Sequence, residues 1–560
     1  MKNFRKALKM EQGNQRNLMR NTHGITLIAL VITVIVMLIL AGVAISVLTD
    51  DGGLFEKTRG AAEAYENSAE KEAKQIDDLM NDIDQYIAGL PVSSNSATNG
   101  SWNGTVNTPK LAKGMTAVYW DESGAEKELT KSSSKAEWEK WYSYTAQTGK
   151  TSTAGSGTSK WANAVTKDNS GNITGYWVWI PRYEYKLTTS SKTIAVNFIS
   201  TKTTTPSSSE YKIHPVFTTN TENGGWDSEL PGFWVAKYPA GYQKSTVNTS
   251  GVVQNGSDTL VSSNLKYTDS NYSANALGQN VSSSNCANVN ISYPVFKPLT
   301  YAYNCINIDS MNRISQDIKN ASNFYGLTNT TDSHLMKNSE WGAVAYLAWS
   351  QYGRNATEPN INNVNLNNKD SKTIYAVTGM VASGTDTSHT NGSFTGNAYN
   401  TPTGQLGSTT GNITGVYDMN GCVWEYVAGY ILNSSGATNR NTYGASLMSV
   451  AAKYRTVYPH NSSSDNYNNN WTATNVATRY GDAVKETSTA GNGSTSWNGD
   501  CSHFPYSNDP FFVRGGNCFD GANAGLFAFS INDGTAFKDG GMTYYYGFRV
   551  CLVPGSGGTL

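Results

Sequence analysis

The chain has 560 residues, more than one hydrophobic core usually serves, so several structural units are expected. Its net charge is −1 and only 15% of its residues are charged, against roughly 25% in an average soluble protein. Asn, Ser, Thr, Gly and Tyr fill the difference, as in exported proteins, and no basic stripe accompanies the aromatic residues, so nucleic acid is not an expected partner.

Residues 1–24 form a basic leader in which Lys2, Arg5, Lys6, Lys9, Arg16 and Arg20 oppose only Glu11. The run 25–48 carries no charged residue; as a helix it covers about 36 Å, enough to cross a hydrocarbon layer of about 30 Å. Asp50, Asp51 and Glu56 follow, which orients the rest of the chain outward and makes the membrane an expected partner. In the stretch 49–88, Ala61, Tyr65, Ala69, Ala73, Ile76, Met80, Ile83 and Ile87 recur at three- and four-residue steps, a helical stalk. Residues 89–165 are rich in Ser, Thr, Gly and Asn and read as a spacer with a small β element near 115–129.

From 166 to 556 the texture is that of a large irregular head. Residues 175–186 pack aromatics too densely for a loop and predict a buried strand with Trp177, Trp179 and Tyr183 in the core. Residues 224–241 read as a turn and a strand. Residues 338–353 predict a helix whose apolar face is Trp341, Val344, Ala345, Ala348 and Trp349. A turn-rich loop and strand follow at 410–430, then strands at 511–516 and 544–554, separated by Asn/Ser/Gly loops. Cysteines stand at 286, 305, 422, 501, 518 and 551 with no CxxC pair; Cys286 and Cys305 enclose a short loop and are the first pair to test for a disulfide.

Three resemblances can be read from particular segments. The junction Gly24-Ile25-Thr26-Leu27-Ile28-Ala29-Leu30 resembles the processing region of type IV pilin-like proteins, which implies cleavage after Gly24 and methylation of Ile25. Such proteins mostly carry Glu where this chain has Ala29, and other pilin-like subunits are the partners the resemblance implies. In the head, Asp418-Met419-Asn420-Gly421-Cys422-Val423-Trp424-Glu425-Tyr426, then Arg514-Gly515-Gly516-Asn517-Cys518, then Gly547-Phe548-Arg549 resemble in order and spacing the formylglycine-generating-enzyme and C-type-lectin superfamily. The fold class expected is therefore α+β: a transmembrane, pilin-like helix, a spacer and a head of that superfamily. Gly515 and Gly516 would permit a tight strand exit, Trp424 would fill the core, and Arg549 would pair with Glu425 or Asp418. Residues 517–546 resemble the variable region of proteins diversified by diversity-generating retroelements, in which a lectin fold carries a rewritten C-terminal segment.

The function expected is binding of a protein or glycan ligand at the cell surface. Phe519, Phe537, Tyr544 and Tyr545 would give rigid apolar contact, and Asn517, Asp520, Ser530, Asn532 and Asp533 adaptable hydrogen bonds, the mixture of antibody paratopes; Cys518, Ile531, Thr535 and Tyr546 complete the set. No cofactor is expected beyond calcium at Asp418 and Glu425. Enzymatic activity is not expected: catalytic members of the superfamily bind copper through two cysteines after the Arg-Gly-Gly, and after Cys518 the next cysteine is Cys551. The alternatives are a minor pilin-like structural subunit and a formylglycine-generating-type oxidase.

Overall fold

A computed structural model describes residues 106–150, 157–247, 253–255, 293–304, 306–367, 374–382, 396–473, 478–529, 539–541 and 545–555. All of them belong to one unit, Ile83–Leu560. The expected leader, the run 25–48, the stalk 49–88, the processing residues Gly24 and Ile25, and the Cys286–Cys305 pair lie outside the described residues.

The α+β expectation with a membrane-spanning helix requires correction. Among the described residues the structure is mostly sheet, with 20% helical. No helix among the described residues is long and apolar enough to cross a membrane. The reason lies in the pattern of the head itself, where the apolar residues sit in short, aromatic-rich runs bounded by Gly, Asn and Ser, which favours strands. The longest described helix, Asn338–Trp349, has 12 residues.

Two sheets organise the core. The first has seven antiparallel strands in the order Thr331–Leu335, Val550–Pro554, Gly232–Ala236, Ile173–Pro181, Asn163–Lys167, Met115–Trp120, Glu126–Glu128. The single buried strand foreseen at 175–186 is two: Ile173–Pro181, with Trp177 and Trp179 fully buried, is the centre of this sheet, while Tyr183, also fully buried, opens the strand Tyr183–Thr188 of a separate three-stranded sheet. Its far edge is built from the stretch read as a spacer, and Leu111, Trp141, Tyr144 and Trp161 from that stretch enter the common core. In the second sheet, Trp424–Ile431 pairs in parallel with Thr456–Tyr458 and antiparallel with Phe511–Gly515, which pairs with Gly525–Phe529. Tyr546–Gly547 joins it alongside Trp424.

The helix Asn338–Trp349 differs from the one-faced helix the spacing suggested: every residue in it is buried. An apolar helix enclosed on all sides needs anchors for its few polar groups. Asn338 Oδ1 accepts from Arg514 Nη1 at 2.7 Å, its Nδ2 donates to Tyr458 at 2.9 Å, and Trp341 Nε1 donates to the Leu526 carbonyl at 3.0 Å. The helix is thus pinned to the second sheet.

That sheet ends at Gly515 and Gly516, with φ of 86° and 85°. A Cβ on Gly516 would stand 2.3 Å from the Ala524 Cβ. Both the left-handed backbone and the close return of the chain therefore require glycine here. Gly516→Ala is expected to cost about 1–3 kcal/mol, read as a lower urea midpoint; an unchanged midpoint would contradict this reading of the turn.

Candidate functional site

The exit from the second sheet leads into the segment from which ligand contacts were expected. Beyond Gly516 the chain makes a tight polar turn. Asn517 N donates to Asp520 Oδ2 and Phe519 N to Asn517 Oδ1, both at 2.7 Å, so these two side chains fix the turn. Asn517 and Cys518 are 5% and 4% exposed, so little of either reaches solvent. Phe519 and Asp520 are half-buried, and Phe519 meets Tyr545 edge to face with ring centres 6.3 Å apart. Tyr546 is a core residue, 2% exposed and packed edge-on against Tyr426 at 5.0 Å. Ser530, Ile531, Asn532, Asp533, Thr535, Phe537 and Tyr544 lie outside the described residues. Of the expected set, the structure brings together Asn517, Cys518, Phe519 and Asp520 in one turn, with Tyr545 against Phe519 and Phe519 packed on the buried cluster of Ala302, Ala376, Cys422, Val423 and Cys518.

The floor is held by the closing Gly-Phe-Arg segment. Arg549 lies between the strand Tyr546–Gly547 of the second sheet and Val550–Pro554 of the first. Its Nε and Nη2 donate to the two oxygens of Glu425 at 2.8 and 2.5 Å, and its Nη1 and Nη2 also donate to the carbonyls of Ala236 and Tyr417, each at 3.0 Å. Both groups are buried. Burial pushes the Glu425 carboxyl up, against the pull of Arg549, while the carboxylate outweighs burial at Arg549 and raises it.

Asp418, the other residue considered for calcium, takes a left-handed backbone with φ of 61°. Its Oδ1 accepts from Asn362 Nδ2 at 2.7 Å and its Oδ2 from Gly379 N at 2.8 Å. The two carboxylates thus have their oxygens engaged by protein donors, the geometry of a structural network.

Sequence reasoning missed a second buried cluster. His334, Glu340 and Cys551 place potential metal-donor atoms within 4.8 Å of one another. Glu340 Oε2 accepts from Lys337 N at 2.8 Å, and Oε1 lies 2.8 Å from His334 Nε2 and 3.9 Å from Lys337 Nζ. Burial acts to lower the His334 pKa, but the Glu340 and Asp332 carboxylates outweigh it and the net shift is upward. Lys337 supplies there the positive charge that a metal ion would bring, so the donor set does not fit a metal well.

Also unforeseen is an open cleft of about 270 Å³ whose lining includes Tyr185, Lys212, Lys485, Glu486, Ser488 and Trp497. Glu486 orders one wall: its Oε2 accepts from Tyr185 and Tyr346 hydroxyls at 2.6 and 2.9 Å and from Gly481 N at 2.7 Å. No local sequence pattern announces this carboxylate, because its two tyrosine partners are 301 and 140 residues away.

A scan against protein-family models finds no family that matches this chain, and a search of curated proteins finds no match.

Burial pushes Asp418 up to about 7, against the Gly379 N–H and the Asn362 amide, from an ordinary 3.8. The folded chain therefore holds a proton that the unfolded chain releases. The associated stability is complete below pH 3.8 and is lost as pH rises through about 7. Glu358, pushed up to about 7 by burial, acts in the same sense. The thermal midpoint should thus fall between these pH values, and Asp418→Asn should flatten some of that fall; identical pH profiles for variant and wild type would contradict the assignment.

Proposed function

We propose that this chain binds a protein or glycan ligand through the face formed by the turn at 517–520 and Tyr545. The observation that carries the reading is the edge-to-face pair Phe519–Tyr545, half-buried at the end of an otherwise enclosed sheet. Rigid aromatic groups beside short polar side chains bind many surfaces at small entropic cost, and a contact face works best when its support is rigid. The support is buried: Phe519 packs on Ala302, Ala376, Cys422, Val423 and Cys518, the strands Phe511–Gly515 and Gly525–Phe529 are fully buried, and the turn is closed by its own Asn517 and Asp520. The likeness of 517–546 to diversified C-terminal segments of lectin folds agrees with a face that can change while its floor stays fixed.

The composition, low in charge and rich in Asn, Ser, Thr and Tyr, supports a place outside the cell. Attachment to a cell membrane rests on the uncharged sequence run 25–48 alone. A copper-dependent oxidase fits less well. Cys518 packs in a small apolar cluster with Cys422, Val423, Ala302 and Ala376, and burial pushes the Cys422 thiol up, which opposes the thiolate that copper requires.

The test compares the full chain with Phe519→Ala/Tyr545→Ala on a printed glycan array and on a panel of intact cells. Wild-type signals should vanish in the variant while its thermal unfolding is little changed. Signals retained at wild-type strength would remove this face from consideration.

A further inference from the structure

Outside the proposed face, one buried constellation is built for chemistry that nothing in the binding role uses. Asn163 pairs across the first sheet with Val118 on one side and Val178 on the other. Trp120 and Tyr176 are two residues from those partners, and Glu126 stands opposite Trp120. Cross-strand partners and alternate residues share a face, so Asn163, Trp120, Tyr176 and Glu126 all project to the same side of the sheet. Lys237, just past the strand Gly232–Ala236, donates its backbone N–H to Tyr176 O at 2.8 Å and reaches the same place.

The geometry points to an intramolecular amide cross-link between Lys237 Nζ and Asn163 Cγ. Nζ lies 2.8 Å from Asn163 Oδ1 and 2.5 Å from the Ile413 carbonyl, and both residues are completely buried. A neutral amine has two N–H bonds, which these two acceptors satisfy, and a lone pair that rotation about Cε–Nζ must turn toward the adjacent carbonyl carbon before attack. Burial drives Lys237 well below its ordinary pKa, with the Glu126 charge opposing. The amide is held with its oxygen toward the amine: Asn163 Nδ2 donates to the carbonyls of Trp161 and Thr414 at 2.9 and 2.8 Å. The Trp120 ring, 4.1 Å from Nζ, and Tyr417, 5.8 Å away, wall the pair from water. Fixed contact of this kind turns an otherwise slow amine–amide exchange into an intramolecular step.

The lone pair of Nζ forms a bond to Cγ while the carbonyl π electrons move to Oδ1. A proton passes from Nζ to Nδ2. The carbonyl re-forms, the Cγ–Nδ2 bond breaks, and its electron pair leaves with ammonia. One C–N bond replaces another, with no oxidant or co-reactant. Glu126, the carboxyl whose charge acts on Lys237, is suited to carry the proton; its Oε2 is held by the Tyr176 hydroxyl at 2.9 Å, and burial pushes it up toward the neutral acid. The cross-link would join the strand Asn163–Lys167, beside the central strand of the seven-stranded sheet, to the residue just past Gly232–Ala236 on the other side of that central strand, a covalent tie suited to a protein exposed outside the cell.

The test is peptide mapping of the purified full chain, taken from a fraction that unfolds cooperatively, after denaturation and trypsin digestion. The expected product is residues 161–167 joined to residues 213–244, lighter than the two peptides together by one ammonia, with no cleavage after Lys237. Lys237→Arg and Asn163→Ala should each abolish it, and Glu126→Gln should slow its appearance. Linear 161–167 and a linear 213–237 ending at Lys237, both in full yield from the wild type, would overturn the proposal and leave Lys237 as a buried cation held by Trp120 and Tyr417. That result depends on no variant folding.

Discussion

The ion pair between Arg549 and Glu425 is the interaction on which the rest of the head depends. It joins the last connection of the chain to the central strand of the second sheet, and through the Ala236 carbonyl it also reaches the first sheet. A guanidinium taken wholly out of water is tolerable only when its fork is matched by acceptors. Here three residues supply them, from three stretches separated by 124, 132 and 313 positions. The two sheets therefore meet around one cation, and a chain without it would leave a carboxylate and two carbonyls buried and unmatched.

A second arginine has the corresponding role within the second sheet. Arg514 donates to Ala528 O, Asn338 Oδ1, Asp482 O and Ala483 O, and its guanidinium lies over the Trp341 ring at 5.5 Å. Together the two arginines fix the strands Trp424–Ile431, Phe511–Gly515 and Gly525–Phe529 before any loop is considered. The proposed contact face then needs little energy of its own. It hangs from a sheet whose exit is set by two left-handed glycines and closed by Asn517 and Asp520, so substitutions in the loop need not disturb the floor.

Much of this frame is legible in the sequence because its signals are local. The Asp418–Tyr426, Arg514–Cys518 and Gly547–Arg549 segments each carry their own residues in a readable order, and a buried arginine needs a buried carboxylate, but the sequence leaves Glu425 and Asp418 both open as the partner of Arg549 and the structure selects Glu425. The aromatic run at 175–186 announces buried strand, though not its break at Arg182 into strands of two sheets. The fold class departs from expectation because the longest helical patterns, 25–48 and 49–88, dominate the sequence, while the head is assembled from short strands. Contact between distant residues leaves no such local mark. Lys237 meets Asn163 across 74 positions, and Glu486 meets Tyr185 across 301. Neither carboxylate nor lysine stands in a pattern that singles it out. The enclosure of Asn338–Trp349 is hidden likewise, since periodicity shows which face is apolar but not how many neighbours cover the others.

The most direct test of this account is a double-mutant cycle on Arg549→Met and Glu425→Met, read by urea unfolding of the full chain. Each single change should cost about 3–5 kcal/mol, because each strands a buried charge, and the double variant should cost clearly less than the two together. Additive costs would show that Arg549 serves the Ala236 and Tyr417 carbonyls alone and that the ion pair does not join the two sheets.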